Sequence, residues 1–212
     1  LIEAAYQSSE GLFAKPAPTT IDRFMALPAT EQEGIQMKAR GLVNLVMVDG
    51  DVFPSVDVES ERRNLERVFS KIGLFPPDDF YERLSKSELV EIYDATGFQL
   101  YHNVEWLKMS SYSLLDVLVY PFHELFERPS SIVEAIWKEA LRPFSETAPR
   151  TSRMLVPLHT LRERLSVEAR MFTHEFKYIA PLRDTAGVPR AIVMTSRTTR
   201  LARELNDIVT FI

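Results

Sequence analysis

Four histidines are the side chains best suited to metal or proton chemistry in this sequence: His102, His123, His159 and His174. None of them pair at the spacing a metal site needs. His123-Glu124 starts like the two-histidine helix of zinc proteases, but no second histidine follows at the required offset. Carboxylates are numerous and scattered. Asp78-Asp79, and Asp49 with Asp51, fall at expected element boundaries, where capping and turn chemistry account for them. No Gly-x-Ser-x-Gly elbow exposes a serine, and the seven glycines make no phosphate-cradling loop. The absence of cysteine excludes disulfides, thiolate metal sites, cysteine nucleophiles and cysteinyl-flavin photochemistry. The residues therefore nominate no catalytic group and no metal ligand, and they leave any cofactor open.

Basic residues gather between Arg150 and Arg170 and between Arg183 and Arg203, with acidic and apolar residues interleaved. The chain has 25 Lys and Arg against 30 Asp and Glu, a net charge of -5, so no overall positive field exists to release counterions from nucleic acid. Those clusters read as the solvated rim of a sheet, and no direct nucleic-acid contact is expected. The aromatics Tyr101, Trp106, Tyr112, Phe122, Trp137, Phe172, Phe176 and Tyr178 are more informative. Two readings of them stay open: a filled core, which large aromatics dominate, or the apolar wall of a small-molecule pocket with a few Arg and His nearby.

What must position these residues is a chain of 212 residues, long enough for one large domain or two small ones. Its 45% hydrophobic and 26% charged composition can bury a core without staples. No window approaches the roughly 18 apolar residues of a membrane span; the best run, residues 42–48, is broken by Asn44 and stops at Asp49. A soluble, cytoplasmic location is expected, with no membrane segment. The chain starts at Leu1 and ends at Ile212 within an unfinished helical pattern, so a fragment is expected whose acting part lies outside it.

Residues 1–18 read as a leader or linker, because Pro16 and Pro18 oppose a regular element. A helical subdomain follows over residues 19–86. It starts with a short turn at 20–26 and a helix opened by a Thr30 and Glu33 capping box, with Ile35, Ala39, Leu42, Val43 and Val46 on one face. A second helix, residues 57–72, carries Leu65, Val68, Phe69 and Ile72 and stops at Gly73. Asp78 or Asp79 is expected to cap a short helix at 80–84. Beyond Ser87 the period becomes two, and Asp94-Ala95-Thr96-Gly97 sits between alternating runs as a hairpin turn. Short helices over 103–127 precede a longer one at 132–141 that Pro143 ends. Strands are expected at 154–158, 169–181 and 191–196, the last two joined at Asp184-Thr185-Ala186-Gly187. The stretch 147–167 reads as irregular, with a helical turn near 160–165. Leu201, Leu205, Ile208 and Ile212 then follow a 4-3-4 spacing, the seam of a two-stranded coiled coil or the inner face of a docked helix.

Two strands, a cluster of short helices, a longer helix and three strands, in that order, resemble a PAS domain. Residues 90–103, VEIYDATGFQLYHN, are similar to that family's opening strand, Asp-x-x-Gly turn, strand and asparagine. Residues 106–118, WLKMSSYSLLDVL, resemble its short helices around an aromatic-Ser pair, here Tyr112-Ser113. Residues 175–200, EFKYIAPLRDTAGVPRAIVMTSRTTR, look like its last hairpin with a Pro-Leu-x-Asp-x-x-Gly turn. The chain departs from the family at the exit, where Arg197-Thr198-Thr199-Arg200 replaces an Asp-Ile-Thr triplet.

The resemblance implies an α+β fold, a PAS-like antiparallel sheet with flanking short helices after the helical subdomain, with a sensor domain at 87–198 and an output helix from 199–212. It implies a homodimer that senses a small ligand or partner through the eight aromatics and His123, and that signals through the 201–212 seam to an output domain outside this chain. His123 would be the nearest candidate for haem ligation on a pocket wall. Two rival readings stay open. One is a metal-dependent or hydrolytic enzyme on the helical half, since Asp49, Asp51, Glu59 and Glu61 are similar to the acidic helix-loop-helix of tellurite-resistance-type domains. The other is a scaffold that only dimerises, its cavity filled by side chains.

Overall fold

Pro18 stands at the first position of helix α1 (Pro18–Ala26), where an N–H would have had no intrahelical partner, so the proline opens a helix instead of preventing one. The computed structural model describes residues 15–48, 51–52, 57–145, 150–166 and 168–202. Helix α2 (Ala29–Val46) starts on the Pro28 carbonyl, which accepts from Glu31 and Gln32 N–H, so Thr30 lies inside the first turn and not at the cap. Strands β1 (Met47–Val48) and β2 (Asp51–Val52) make a small antiparallel pair. Helix α3 (Val58–Ile72) has the strongest local signals. Ser60 N–H donates to Asp57 Oδ1 at 2.7 Å, Asp57 N–H donates to Ser60 Oγ at 3.0 Å, and Gly73 ends the helix at φ 69°. A 3-10 turn, Asp78–Arg83, follows from Pro77 with no side-chain cap. Asp79 instead accepts from the Thr151 N–H and hydroxyl at 3.2 and 2.8 Å.

The sheet opens with β3 (Leu89–Asp94) and β4 (Gln99–His102). Their turn forms as expected: Asp94 Oδ1 accepts from Thr96 and Phe98 N–H at 2.8 and 2.9 Å, and Gly97 takes φ 80°. Short helices α4 (Val104–Met109), α5 (Leu114–Val119) and α6 (Phe122–Leu125) lead to β5 (Phe126–Glu127) and helix α7 (Ser130–Ser145). Helix α7 carries Pro143 inside its last turn, where the missing N–H sacrifices only one terminal bond. Strands β6 (Ser152–Arg153), β7 (His159–Glu163), β8 (Met171–Arg183) and β9 (Pro189–Arg200) complete an antiparallel sheet in the order β4-β3-β9-β8-β7-β5, with β6 pairing β8. This is the α+β, PAS-like arrangement of sheet and flanking helices.

Three boundaries differ from expectation. Residues 154–158 are outside any strand although Met154 and Val156 are buried, and the ladder forms instead at β7, where the stretch was read as irregular or helical. Pro157 has no N–H to give a ladder, whereas His159 to Arg162 find partners along β8. Thr199 and Arg200 belong to β9, paired with Thr173 and Phe172, and Leu201 N–H donates to Met171 O at 2.9 Å. The C-terminal helix therefore cannot start at 199. Of its seam, Leu201 is partly buried, while Leu205, Ile208 and Ile212 lie outside the described residues.

Both faces of the sheet are covered. Val90, Ile92, Ala180, Leu182, Ala191 and Val193 share one buried cluster with Phe24, Leu65, Val68, Phe69 and Phe80 from α1, α3 and the 3-10 turn. On the opposite face Tyr93, Ile192, Met194 and Phe176 pack against Ile132 and Ile136 of α7.

Asn103, capping α4, ties these layers together. Its Oδ1 accepts from Val90 and Trp106 N–H at 3.1 and 3.2 Å, and its Nδ2 donates to Glu88 O at 2.9 Å and Glu61 Oε1 at 3.1 Å. Asn103→Leu keeps the branched shape and leaves buried N–H groups and a carboxylate oxygen without this partner. The expected loss is on the order of 3 kcal/mol, measured by urea unfolding. A loss under about 1 kcal/mol would contradict this role.

Candidate functional site

Strand register gathers a set of polar side chains on the face covered by α4 to α7. Glu91 pairs with His102 on β4 and with Met194 on β9; further along β9, Ser196 pairs with Phe176 and Thr198 with His174; His174 in turn pairs with His159 on β7. Arg128, just after β5, reaches in with its guanidinium 4.6 Å from the Phe122 ring centre and 5.3 Å from that of Phe126. Glu91 is 1% exposed and Arg128 9%; His102, His159, His174 and Ser196 are buried as well.

Few of these groups satisfy one another. The Tyr93 hydroxyl donates to Glu91 Oε2 at 2.5 Å, and His102 Nε2 lies 3.7 Å from the same oxygen. The His102 ring stacks on Trp106 with centres 3.9 Å apart and planes 10° from parallel. His159 Nδ1 donates to Pro157 O at 2.8 Å. Among the described residues, His102 Nε2, His159 Nε2, both ring nitrogens of His174, Arg128 Nε and Thr198 Oγ1 have no hydrogen-bond partner. Buried polar atoms are normally paired, so this concentration on one sheet face marks a site suited to polar recognition.

Burial sets the charge states. It pushes the Glu91 carboxyl up, opposed by the Tyr93 hydroxyl and then by the Arg128 charge. It holds His102 down at about 3 and His174 well below the ordinary range, the latter helped by Arg128 and His159. His159 is lowered by burial against the pull of the Pro157 carbonyl. Burial also lowers Arg128, to about 10, with Glu91 opposing, so the guanidinium stays charged at neutral pH.

Above this cluster a cavity of about 220 Å³ opens between the sheet and α7. Tyr93, Ile192, Met194 and Arg128 are on its sheet side, Val133, Ile136, Trp137, Ala140 and Phe144 come from α7, and Gly97, Phe122 and His123 complete it. A Cβ placed on Gly97 would stand 2.8 Å from the Trp137 ring, so the hairpin backbone and the indole meet closely at the cavity.

The residues singled out from sequence divide among three places. Phe122, His123 and Trp137 line the cavity; Phe122 is half-buried, His123 exposed and Trp137 42% exposed. Trp106, Tyr112, Phe172 and Phe176 are buried packing around the polar cluster, with Tyr112 OH accepting from Arg164 N–H at 2.9 Å and donating to Leu125 O. Tyr101 and Tyr178 are on the other side of the sheet. Tyr101 pairs with Ile92, in phase with the face that meets α3, and a register shift after Phe176 pairs Tyr178 with Thr195, putting its ring 5.8 Å from the Arg83 guanidinium. Glu91, Arg128, Ser196 and Thr198 were not legible as site residues. Their one signal is phase: Thr198, Ser196, Met194 and Ile192 share a two-residue period, which marks a common face without saying that it is interior.

The acidic residues of the helical half do not converge where they are described. Glu59 is exposed, 3.6 Å from Arg63, while Glu61 is buried and accepts from Asn103. Asp49 lies outside the described residues. Among the described residues no group of three or more His, Asp or Glu is placed to hold a metal ion, and no helix is long and apolar enough to cross a membrane.

No family model matches the chain, and no curated protein matches it by sequence. Solved structures are similar in backbone path. The PAS domain of a protein from Colwellia psychrerythraea aligns at 14% identity and TM-score 0.37, covering 53% of this chain and 86% of its own. The light-state dimer of the fungal blue-light photoreceptor Vivid aligns at 17% and 0.38, covering 54% and 79%. A sensory box sensor histidine kinase from Vibrio cholerae aligns at 10% and 0.36, covering 68% and 99%.

The buried neutral histidines carry a pH signature. Above about pH 7 they are neutral folded or unfolded, and stability is unaffected. As pH falls through about 6.5 the unfolded chain takes up protons that the folded chain refuses, so stability drops by up to about 1.4 kcal/mol per pH unit per histidine. Glu91 works in the opposite direction, because its raised pKa lets the folded chain take up a proton first. Three histidines outweigh Glu91 and Glu88, whose carboxyl burial also pushes up, so Tm is expected to fall between pH 7 and 5. His174→Leu should flatten that slope by about one proton; an unchanged slope would show that His174 is not buried in neutral form.

Proposed function

We propose that this chain is the sensory module of a signalling protein, a cytoplasmic member of the PAS family whose output domain lies outside the sequence. The observation that carries this reading is the continuity of one strand. Ile192 and Met194 of β9 line the cavity, Ser196 and Thr198 sit in the polar cluster, and the same strand runs out through Arg200 to Leu201. A small molecule seated on Ile192 and Met194 presses on the strand that leaves the domain, and β9 is held between β3 and β8, so a change in its packing reaches the exit. The chain contributes no catalytic group in this reading. Its signal leaves as a shift at residues 199–202, and the seam of Leu201, Leu205, Ile208 and Ile212 joins two copies into the dimer that receives it.

The test uses benzene-sized probes, neutral and charged, because the site volume is below the ~300–1,000 Å³ of drug-sized pockets. Binding raises Tm and slows amide exchange in β9 and at residues 199–202. Ala140→Trp fills the cavity from α7 and should abolish binding while the protein still unfolds cooperatively. If no probe binds, ligand sensing at this cavity is wrong; if probes bind and exchange at the exit is unaltered, transmission through β9 is wrong. For the dimer, sedimentation over a concentration series compares the parent with a Leu205→Glu and Ile208→Glu double variant. A parent monomeric at high micromolar concentration, or a double variant that associates equally, would overturn the seam.

A further inference from the structure

Arg128 is the anomaly of the cavity. The residue is 9% exposed, its Nε has no hydrogen-bond partner, and it makes no hydrogen bond or ion pair with any described residue. Buried guanidinium groups are normally forked onto a carboxylate, since an uncompensated interior charge is costly. Here the Phe122 and Phe126 rings supply cation-π attraction, which offsets part of that cost and uses none of the N–H donors. The nearest acid in charge terms, Glu91, engages the Tyr93 hydroxyl, and no ion pair joins it to Arg128. Asp94 also borders the cavity, but its Oδ1 is committed to the hairpin turn, accepting from Thr96 and Phe98. The two histidines beside Arg128, His159 and His174, can add no negative charge.

We propose that the cavity binds a small organic acid, with its carboxylate on the Arg128 guanidinium and its apolar or aromatic body between Phe122 and the α7 side chains. This deepens the pocket reading above and rests on it. The polar and apolar parts of the site are arranged for such a molecule. Arg128 brings an unpaired cation to the lining, and most of the remaining wall, with Val133, Ile136, Trp137 and Phe144, is apolar or aromatic, with Asp94, Thr96 and His123 at the hairpin and α6 side. A carboxylate can take two parallel N–H donors from one guanidinium. A phosphate ester carries more charge and more acceptor oxygens than this single cation and its apolar surroundings satisfy. The cavity of about 220 Å³ fits a body of benzoate or phenylacetate size.

The experiment compares isosteric pairs on the intact chain: benzoate against benzamide, and phenylacetate against 2-phenylethanol, with inorganic phosphate as a separate arm. Calorimetry gives affinity. The emission of Trp137, isolated in a Trp106→Phe background because the chain has two tryptophans, reports location. The acids should bind at least tenfold tighter than their neutral partners. Arg128→Gln should remove that preference while leaving the weaker neutral binding in place, and Arg128→Lys should retain part of it. The acid-against-neutral comparison needs no variant, so it decides even if Arg128→Gln unfolds. Equal binding of acids and neutral partners, or a preference that survives Arg128→Gln, overturns the organic-acid assignment and leaves the pocket reading intact. Tighter binding of phosphate than of benzoate also overturns it. Failure of every probe, charged and neutral, overturns the pocket reading as well.

Discussion

The Asn103 side chain is the contact on which the rest of the arrangement depends. It joins the start of β3, the first turn of α4 and Glu61 of α3 through four hydrogen bonds. Because it caps α4, it sets where Trp106 stands, and Trp106 stacks on His102, one residue before the cap. The helices that follow inherit that starting point and deliver Phe122, Phe126 and Arg128 to the covered face. A single amide thus connects the packing of the N-terminal helices to the geometry of the cavity.

Two opposing contributions meet on the sheet. One face is apolar, and its cluster with α1, α3 and the 3-10 turn provides the burial that stabilises the fold. The other face buries Glu91, Arg128 and three histidines with several polar atoms lacking partners, an arrangement that works against stability. Retaining so many poorly satisfied groups under a helix-covered cavity is the pattern expected where recognition outweighs packing, with the loss offset elsewhere in the structure. Helix α3 and the 3-10 turn meet the apolar face, while α1 and α2 pack on α5, so the face beneath α4 to α7 can remain polar.

Strand β9 occupies the centre of the sheet. It is the last of the described strands, yet it lies between β3 and β8, paired with β8 from Pro189 to Arg200 and with β3 from Ala191 to Ser196. Ile192 and Met194, which touch the cavity, and Thr199 and Arg200 therefore lie on one strand. The Arg197-Thr198-Thr199-Arg200 segment continues the ladder with β8.

By itself the sequence determined several features whose partners lie within about four residues, although the expected Thr30 and Asp78 or Asp79 caps do not form. The Asp94 to Gly97 and Asp184 to Gly187 turns and the Gly73 stop of α3 rest on short-range bonds and on glycines at positive φ, and each is legible as written. The order of elements followed from the change of hydrophobic period, and the lack of cysteine removed whole classes of chemistry. Tertiary structure decided what depends on distant pairing. Strand β7 exists because β8 offers it a ladder, and β9 continues to Arg200 for the same reason. A register shift after Phe176 sends Tyr178 to the opposite face from its neighbour two residues away. Above all, a two-residue alternation separates faces without revealing which face is covered. With helices on both sides, Glu91, His174 and Ser196 became interior, and Arg128, from a segment with no period to read, became the charge beneath the cavity.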